Sequence, residues 1–168
     1  VRKVPDPVLR LKAAPVGKIT EDDLKLVRDM FDTMYYANGV GLAAPQVGVS
    51  KRIIVCNPTG EKADEFALID PVILYRKGSR VKDCEGCLSI PGTTSEVTRS
   101  SIVGVSGRDL EGREITVEAR LLMARIIDHE CDHLEGKLFI DRISLLKRKL
   151  LMGRYKRRLK IRCVGKWY

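Results

Sequence analysis

The chain has 168 residues, 44% of them hydrophobic and 32% charged, which fits one compact domain able to fold without covalent staples. No apolar run approaches the roughly 18 residues of a membrane-spanning helix. The polar, proline-interrupted start Val1-Arg2-Lys3-Val4-Pro5 does not resemble a secretory signal, and five cysteines are too few, and odd in number, for a disulfide framework.

The net charge of +9 is unevenly placed. From Arg142 to Tyr168 there are eleven Lys or Arg and no Asp or Glu, which leaves residues 1–141 at −2. A near-neutral body with a basic tail is expected. The tail is read either as a solvated helix or as an anchor for a polyanion, with nucleic acid favoured over membrane.

In chain order, Thr20-Glu21-Asp22-Asp23 predicts a helix start with Thr20 as N-cap and acids in the first turn. Leu24, Val27, Phe31 and Met34 fall on one helical face, and Asn38-Gly39 ends the helix. Strands rich in Val and Ile are expected at Arg52–Cys56, Phe66–Leu74, Ile102–Ser106 and Glu114–Glu118, separated by Gly, Pro and Asp turns. A second helix is predicted from Arg120 to Gly136. A last one runs from Ser144 to about Leu159, with Leu145, Leu146, Leu150 and Leu151 as apolar contacts. Helices at the ends and strands in the middle indicate α+β architecture.

Three segments carry chemistry. His129-Glu130-Cys131-Asp132-His133 matches H-E-x-x-H, and the two imidazoles, the only ones in the chain, lie at i and i+4 on one helix face where both reach a single metal ion. Glu130 is rotated to the edge of that face, within reach of a water on the metal. A catalytic metal site usually takes three protein ligands and leaves one position open. Phe139 occupies the place of a third zincin histidine and nothing acidic follows Asp141, so the third ligand is sought upstream, in Cys84-Glu85-Gly86-Cys87. Cys87 with the two histidines makes an open site. Both cysteines together would make a closed Cys₂His₂ site, and a thioredoxin-like pair would need a βαβ context that is missing. The open site is preferred because it employs Glu130; Cys84, Cys56, Cys131 and Cys163 are then packed thiols. The third segment is Gly39-Val40-Gly41-Leu42-Ala43-Ala44-Pro45-Gln46. Its small residues permit close backbone approach to a strand or a ligand, and Gln46 suits donation to a developing oxyanion.

Taken together in this order, G-V-G-L-A-A-P-Q, E-G-C-L-S and H-E-C-D-H resemble the signature of the peptide deformylases, and the likeness extends over roughly Pro5 to Leu146. The resemblance implies a catalytic domain over 1–146; the basic C-terminal extension over 147–168, read from its charge, is not part of the signature. Its implied fold is α+β, with mixed β-sheets surrounding a central helix that carries H-E-x-x-H. The implied activity is removal of the N-formyl group from the N-terminal methionine of newly made polypeptides, releasing formate.

Residue by residue, the resemblance implies a divalent metal on Cys87, His129 and His133. Ferrous iron would be the native ion, with zinc or nickel as alternatives after purification; ligand type alone would suggest zinc. Glu130 would be the general acid/base, while Gln46 and the Leu88 amide would stabilise the oxyanion. The Gly41 carbonyl would accept the substrate amide, and Val40, Leu122 and Ile126 would hold the methionine side chain. Asp132 and Arg99 look like an ion pair steadying the metal helix. Asp128 stands where the family usually has Gln and is expected to be a surface acid; pointing inward, it would raise the Glu130 pKa. Cys131 replaces a larger apolar residue, a mild change. The implied partners are N-formylmethionyl nascent peptides; from its charge, the tail is expected to meet the ribosome or RNA, with no membrane. A bacterial-type cytoplasmic location is expected, or an organelle matrix if a transit peptide has been removed.

Two rivals remain at this point. A zincin-type endopeptidase lacks its downstream third ligand. A nucleic-acid-binding module with a structural Cys₂His₂ zinc needs a far shorter gap between its cysteines and histidines, and it leaves Glu130 and Gln46 without a role.

Overall fold

The structure, a computed structural model, describes residues 1–164, with side chains to Leu159. The last four residues of the basic tail, and the expected packing of the Cys163 side chain, lie outside the described part. The chain is α+β: α1 (Glu21–Tyr36), β1 (Gly41–Ala43), β2 (Ile53–Cys56), β3 (Phe66–Gly86), β4 (Thr94–Arg108), β5 (Glu114–Arg120), α2 (Leu121–Leu134) and α3 (Leu145–Val164).

Helix α1 begins on a reciprocal capping box: Thr20 N donates to Asp23 Oδ2 at 3.0 Å and Asp23 N donates to Thr20 Oγ1 at 3.4 Å. It ends where Asn38 turns to φ 53°, a left-handed conformation that Asn tolerates better than most residues. Val27, Met30, Phe31 and Met34 are its buried face.

The five strands form one sheet in sequential order, β1-β2-β3-β4-β5, with every neighbouring pair antiparallel. This corrects the expected mixed sheets. Consecutive strands are joined by loops with no crossover helix, and parallel neighbours require a crossover of a dozen or more residues. The one parallel contact described is the isolated bridge between Ala14 and Lys51.

Strands β3 and β4 are far longer than hydrophobic alternation suggests. Register shifts at Ile69/Val72, Ile73/Tyr75 and Lys77/Arg80 interrupt the period of two, and β3 is exposed from Leu74 to Cys84. The same exposure overturns one expectation: Cys84 is an exposed thiol, not a packed one, because its neighbour Glu85 is the residue that points inward. Cys56 and Cys131 are buried.

Strand β2 is covered on both sides. Its Ile54 and Cys56 pack with Ala124, Ile127, Cys131 and Leu134 of α2; Ile53 and Val55 pack with Val27, Met30 and Met34 of α1. A third cluster joins Ile90, Val97, Leu138, Phe139 and Ile140 to Tyr155 of α3, with Leu151, Met152 and Leu159 beside it. Tyr155 Oη donates to Val4 O at 3.1 Å. The phase set by Leu151, Met152, Tyr155 and Leu159 turns Leu145, Leu146 and Leu150 to solvent, so those three are not the expected apolar contacts.

What fixes α2 against the sheet is a buried ionic cluster. Arg99 of β4 donates through Nε and Nη2 to the two Glu85 oxygens at 2.6 and 3.0 Å, and through Nη1 to Asp128 and Asp132 of α2 at 3.0 and 2.9 Å. The expected Asp132–Arg99 pair is therefore present, and Arg142 adds a second guanidinium to Asp132.

Asp128 is corrected: it is 4% exposed, not a surface acid. It lies four residues before Asp132 on the same helical stripe and meets the same arginine. Its Oδ1 also accepts from Nε and Nη2 of Arg76 at 2.9 and 2.7 Å. Burial penalises its charge, but Arg76 and Arg99 outweigh that and hold its pKa below the ordinary aspartate value. The like charges that bear on Glu130 come from Glu85 and Asp132 instead.

Burial likewise opposes ionisation of Glu85, yet the bonds from His129 and Arg99 hold it at about 2 against an ordinary 4.5. A depressed carboxylate stabilises the fold fully above its unfolded-state pKa and ceases to do so as pH falls through its folded-state value. The difference in Tm between the wild type and Glu85→Gln should therefore be widest near pH 6. It should shrink progressively as pH drops from about 4.5 toward 2, as read by calorimetry; a gap that does not change with pH would refute this.

Candidate metal centre

Helix α2 places His129 and His133 one turn apart, with ring centroids 5.0 Å apart. Cys87 follows directly on the last residue of β3, Gly86. Glu85, two residues earlier, holds its carboxylate 3.1 Å from His129 Nδ1, so Nε2 of that ring is the nitrogen left for a metal. Cys87 Sγ lies 3.3 Å from His133 Nε2. One donor atom from each of Cys87, His129 and His133 falls within 4.8 Å of the others. Cys84 is not in this group, so the closed Cys₂His₂ arrangement is not assembled among the described residues.

The donor set fits one divalent ion: a thiol and two imidazoles, converging and partly desolvated. Burial, reinforced by the charge on His129, keeps His133 neutral, the form that binds metal. For His129, burial opposes protonation, but Cys87, Glu85 and Glu130 outweigh it and push the pKa up to about 10. A cation at this point takes the place of that proton.

Glu130 is 4% exposed, and its Oε2 has no hydrogen-bond partner. Burial pushes its pKa up to about 7, against the lowering influence of His129 and Arg99. Gly41 of β1 makes this position possible, since a Cβ there would stand 2.5 Å from Glu130 Oε1 and 2.7 Å from Ile126 Cγ2. Gln46 is buried in the 3-10 turn Ala44–Val47. Its Oε1 accepts from Ala43 N at 2.8 Å, while Nε2 donates to Ser89 Oγ at 3.2 Å and faces Cys87 Sγ at 3.6 Å.

A cavity of about 500 Å³ opens over these groups. Of the residues singled out from sequence, it is lined by Gly39, Val40, Gly41, Gln46, Cys84, Cys87, Leu88, Leu122, Ile126, His129 and Glu130, among others. His133 is not part of the lining and meets the others through Cys87. Ile126 is buried, whereas Val40 and Leu122 are 45% and 50% exposed.

Among the lining residues that escaped the sequence reading, two are charged. Glu85 buttresses His129, and its place two residues before Cys87 on one strand face was the available signal. Arg125 sits four residues before His129 on the α2 face. It donates to Glu85, to Val97 O at 3.0 Å and to Val81 O at 2.8 Å, tying α2 to both long strands.

Comparison with known proteins gives a consistent result. The polypeptide deformylase family model matches residues 1–149. A peptide deformylase from Halothermothrix orenii is 49% identical over 151 residues, 90% of this chain and 97% of its own. A peptide deformylase crystal structure from Legionella pneumophila superimposes with a TM-score of 0.91 at 39% identity, covering 97% of this chain and 96% of that one. One from Synechococcus elongatus, in complex with actinonin, has a TM-score of 0.87 at 42% identity over 91% and 85% of the two chains. A match spanning most of the sequence, relatives near half identity at full length and a shared α+β fold together mean that this chain belongs to the polypeptide deformylase family, metal-dependent hydrolases that remove the N-formyl group from nascent peptides.

Proposed function

We propose that the catalytic unit spans 1–146 and hydrolyses the formyl amide on the N-terminal methionine of newly made polypeptides, with the H-E-x-x-H helix as its central element and Glu130 as the proton carrier. The observation that carries this reading is a buried carboxylate with an unpartnered oxygen, lining a cavity together with Cys87 and His129, with His133 behind them within ligating reach of the same point. A divalent ion on Cys87, His129 and His133 would supply Lewis acidity and an acidified water. Ferrous iron is the proposed native ion, and zinc or nickel suit the same donors.

Glu130 takes a proton as water adds to the formyl carbon, then delivers it to the departing amine as the C–N bond breaks and formate leaves. A carboxyl held near pH 7 by burial can do both. Gln46 Nε2, held by its bonds to Ala43 and Ser89, and the Leu88 backbone N–H donate to the developing oxyanion. The Gly41 carbonyl accepts the substrate amide N–H. Ile126 forms the depth of the methionine pocket, with Val40 and Leu122 at its mouth. Actinonin would enter the same cavity.

The stretch 147–168 is a basic extension by function, although helix α3 crosses the boundary and packs through Tyr155. Its exposed cations are proposed to meet ribosomal RNA. No helix among the described residues is long and apolar enough to cross a membrane, and a bacterial-type cytoplasmic location is proposed.

Three outcomes are expected. Glu130→Gln should retain its metal by elemental analysis and lose about 10²–10⁴-fold in deformylation of a formyl-methionyl tripeptide; turnover near wild type would remove Glu130 from the reaction. Cys87→Ala should lose the metal and Cys84→Ala keep it, and the opposite pattern would restore the closed site. Lys156→Gln with Arg157→Gln should weaken binding to ribosomes and flatten its dependence on salt concentration, whereas an unchanged salt slope would make these cations plain solvated charge.

A further inference from the structure

Beside the catalytic cavity lies a second groove of about 380 Å³, between the start of β4 and one face of α3. The two share a wall, since Gly92, Thr93 and Thr94 line both. The far side of the groove carries Lys147, Arg154 and Arg158. With Leu151 these occupy i, i+4, i+7 and i+11 of the helix, a single face about 16 Å long. Arg158 Nη1 donates to Gly92 O, fastening the loop to the helix. Thr93 Oγ1 is committed to Ile90 O at 2.6 Å. Of the carboxylates close by, Glu96 is engaged by Lys82 at 2.7 Å and Asp141 by Arg10 and Arg148. The groove is therefore strongly cationic.

We propose that this groove is a subsite for the substrate chain beyond its methionine, and that it selects acidic side chains at about the third to fifth residue. The inference rests on the deformylase reading above and adds a substrate class to it. An extended peptide advances about 3.3 Å per residue, so about five residues run the length of the cationic face. A peptide held in the cavity by its first residue is delivered past the shared wall to Lys147 and Arg154. This makes weak surface ion pairs count, because they form intramolecularly. The same wall favours a peptide over RNA as the occupant: it gives the groove a chain already anchored next door.

The test uses the intact, metal-loaded protein and formyl-Met peptides carrying Ala, Asp or Lys at positions three to five. For the wild type, kcat/KM should favour Asp over Ala roughly three- to tenfold at low ionic strength, mainly through KM. The ratio should fall toward one at about 0.5 M salt. In Lys147→Glu with Arg154→Glu the order should invert, with Lys peptides preferred over Asp, a reversal that structural damage alone cannot produce. A flat Asp-to-Ala ratio with normal turnover of the Ala peptide overturns the subsite and leaves the deformylase reading intact. So does a charge swap that abolishes RNA binding without inverting the preference. Absence of formate from every peptide overturns the deformylase reading itself.

Discussion

Arg99 is the residue on which the arrangement of the molecule turns. One buried guanidinium receives Glu85 from β3 and both Asp128 and Asp132 from α2, while standing on β4 itself. Burial opposes its charge, yet Glu85 and the two aspartates outweigh that and raise its pKa further. Stripped of these carboxylates, such a group would be an uncompensated buried charge, a loss of about 3–5 kcal/mol. Cys87 and the two histidines come from elements far apart in sequence, and the Glu85–Arg99–Asp132 bonds hold those elements in one register. The pair His129–Glu85 is part of the same cluster, so the bond that orients the imidazole is continuous with the bonds that position the helix.

Around this frame, the cavity combines groups that water would otherwise level. Glu130 is pushed upward by burial while Glu85, only a strand away, is held far down by arginine and histidine. The two carboxylates thus carry opposite shifts: Glu85 is held ionised by its partners, and Glu130 is kept near pH 7 by burial. The separation depends on Gly41, because any side chain there would collide with Glu130 and Ile126. Close by, the 3-10 turn buries Gln46 and fixes its carboxamide from both ends, through Ala43 and Ser89.

Helix α3 has two unlike faces. Leu151, Met152, Tyr155 and Leu159 dock on the Ile90–Phe139 cluster, so the tail is joined to the body as well as charged. The docking turns Lys147, Arg154 and Arg158 toward the loop that borders the cavity, while Lys156 and Arg157 face solvent. One helix thus brings separate sets of cations to two different surroundings.

The local features were written in the sequence because their causes are local. Thr20 caps α1 through bonds to a residue three positions on, Asn38 ends it through its own backbone preference, and the i, i+4 spacing of His129 and His133 puts them on one face wherever the helix lies. Strand β2 could be read from its Val and Ile content, since both its faces are buried. What only the tertiary structure decided was pairing across distance. The exposed half of β3 has no hydrophobic period and exists because its backbone bonds to β4, whose buried residues anchor the pair. Asp128 is an acid whose burial depends on Arg76 and Arg99, neither of them near it in sequence. Leu145, Leu146 and Leu150 carry the composition of a contact face, but the phase of α3 was set by Tyr155 and its neighbours. The cationic groove arises from the meeting of residues 92–95 with a helix more than fifty positions later. Short-range geometry follows from residue identity; the partner of a buried charge is known only once the chain has closed around it.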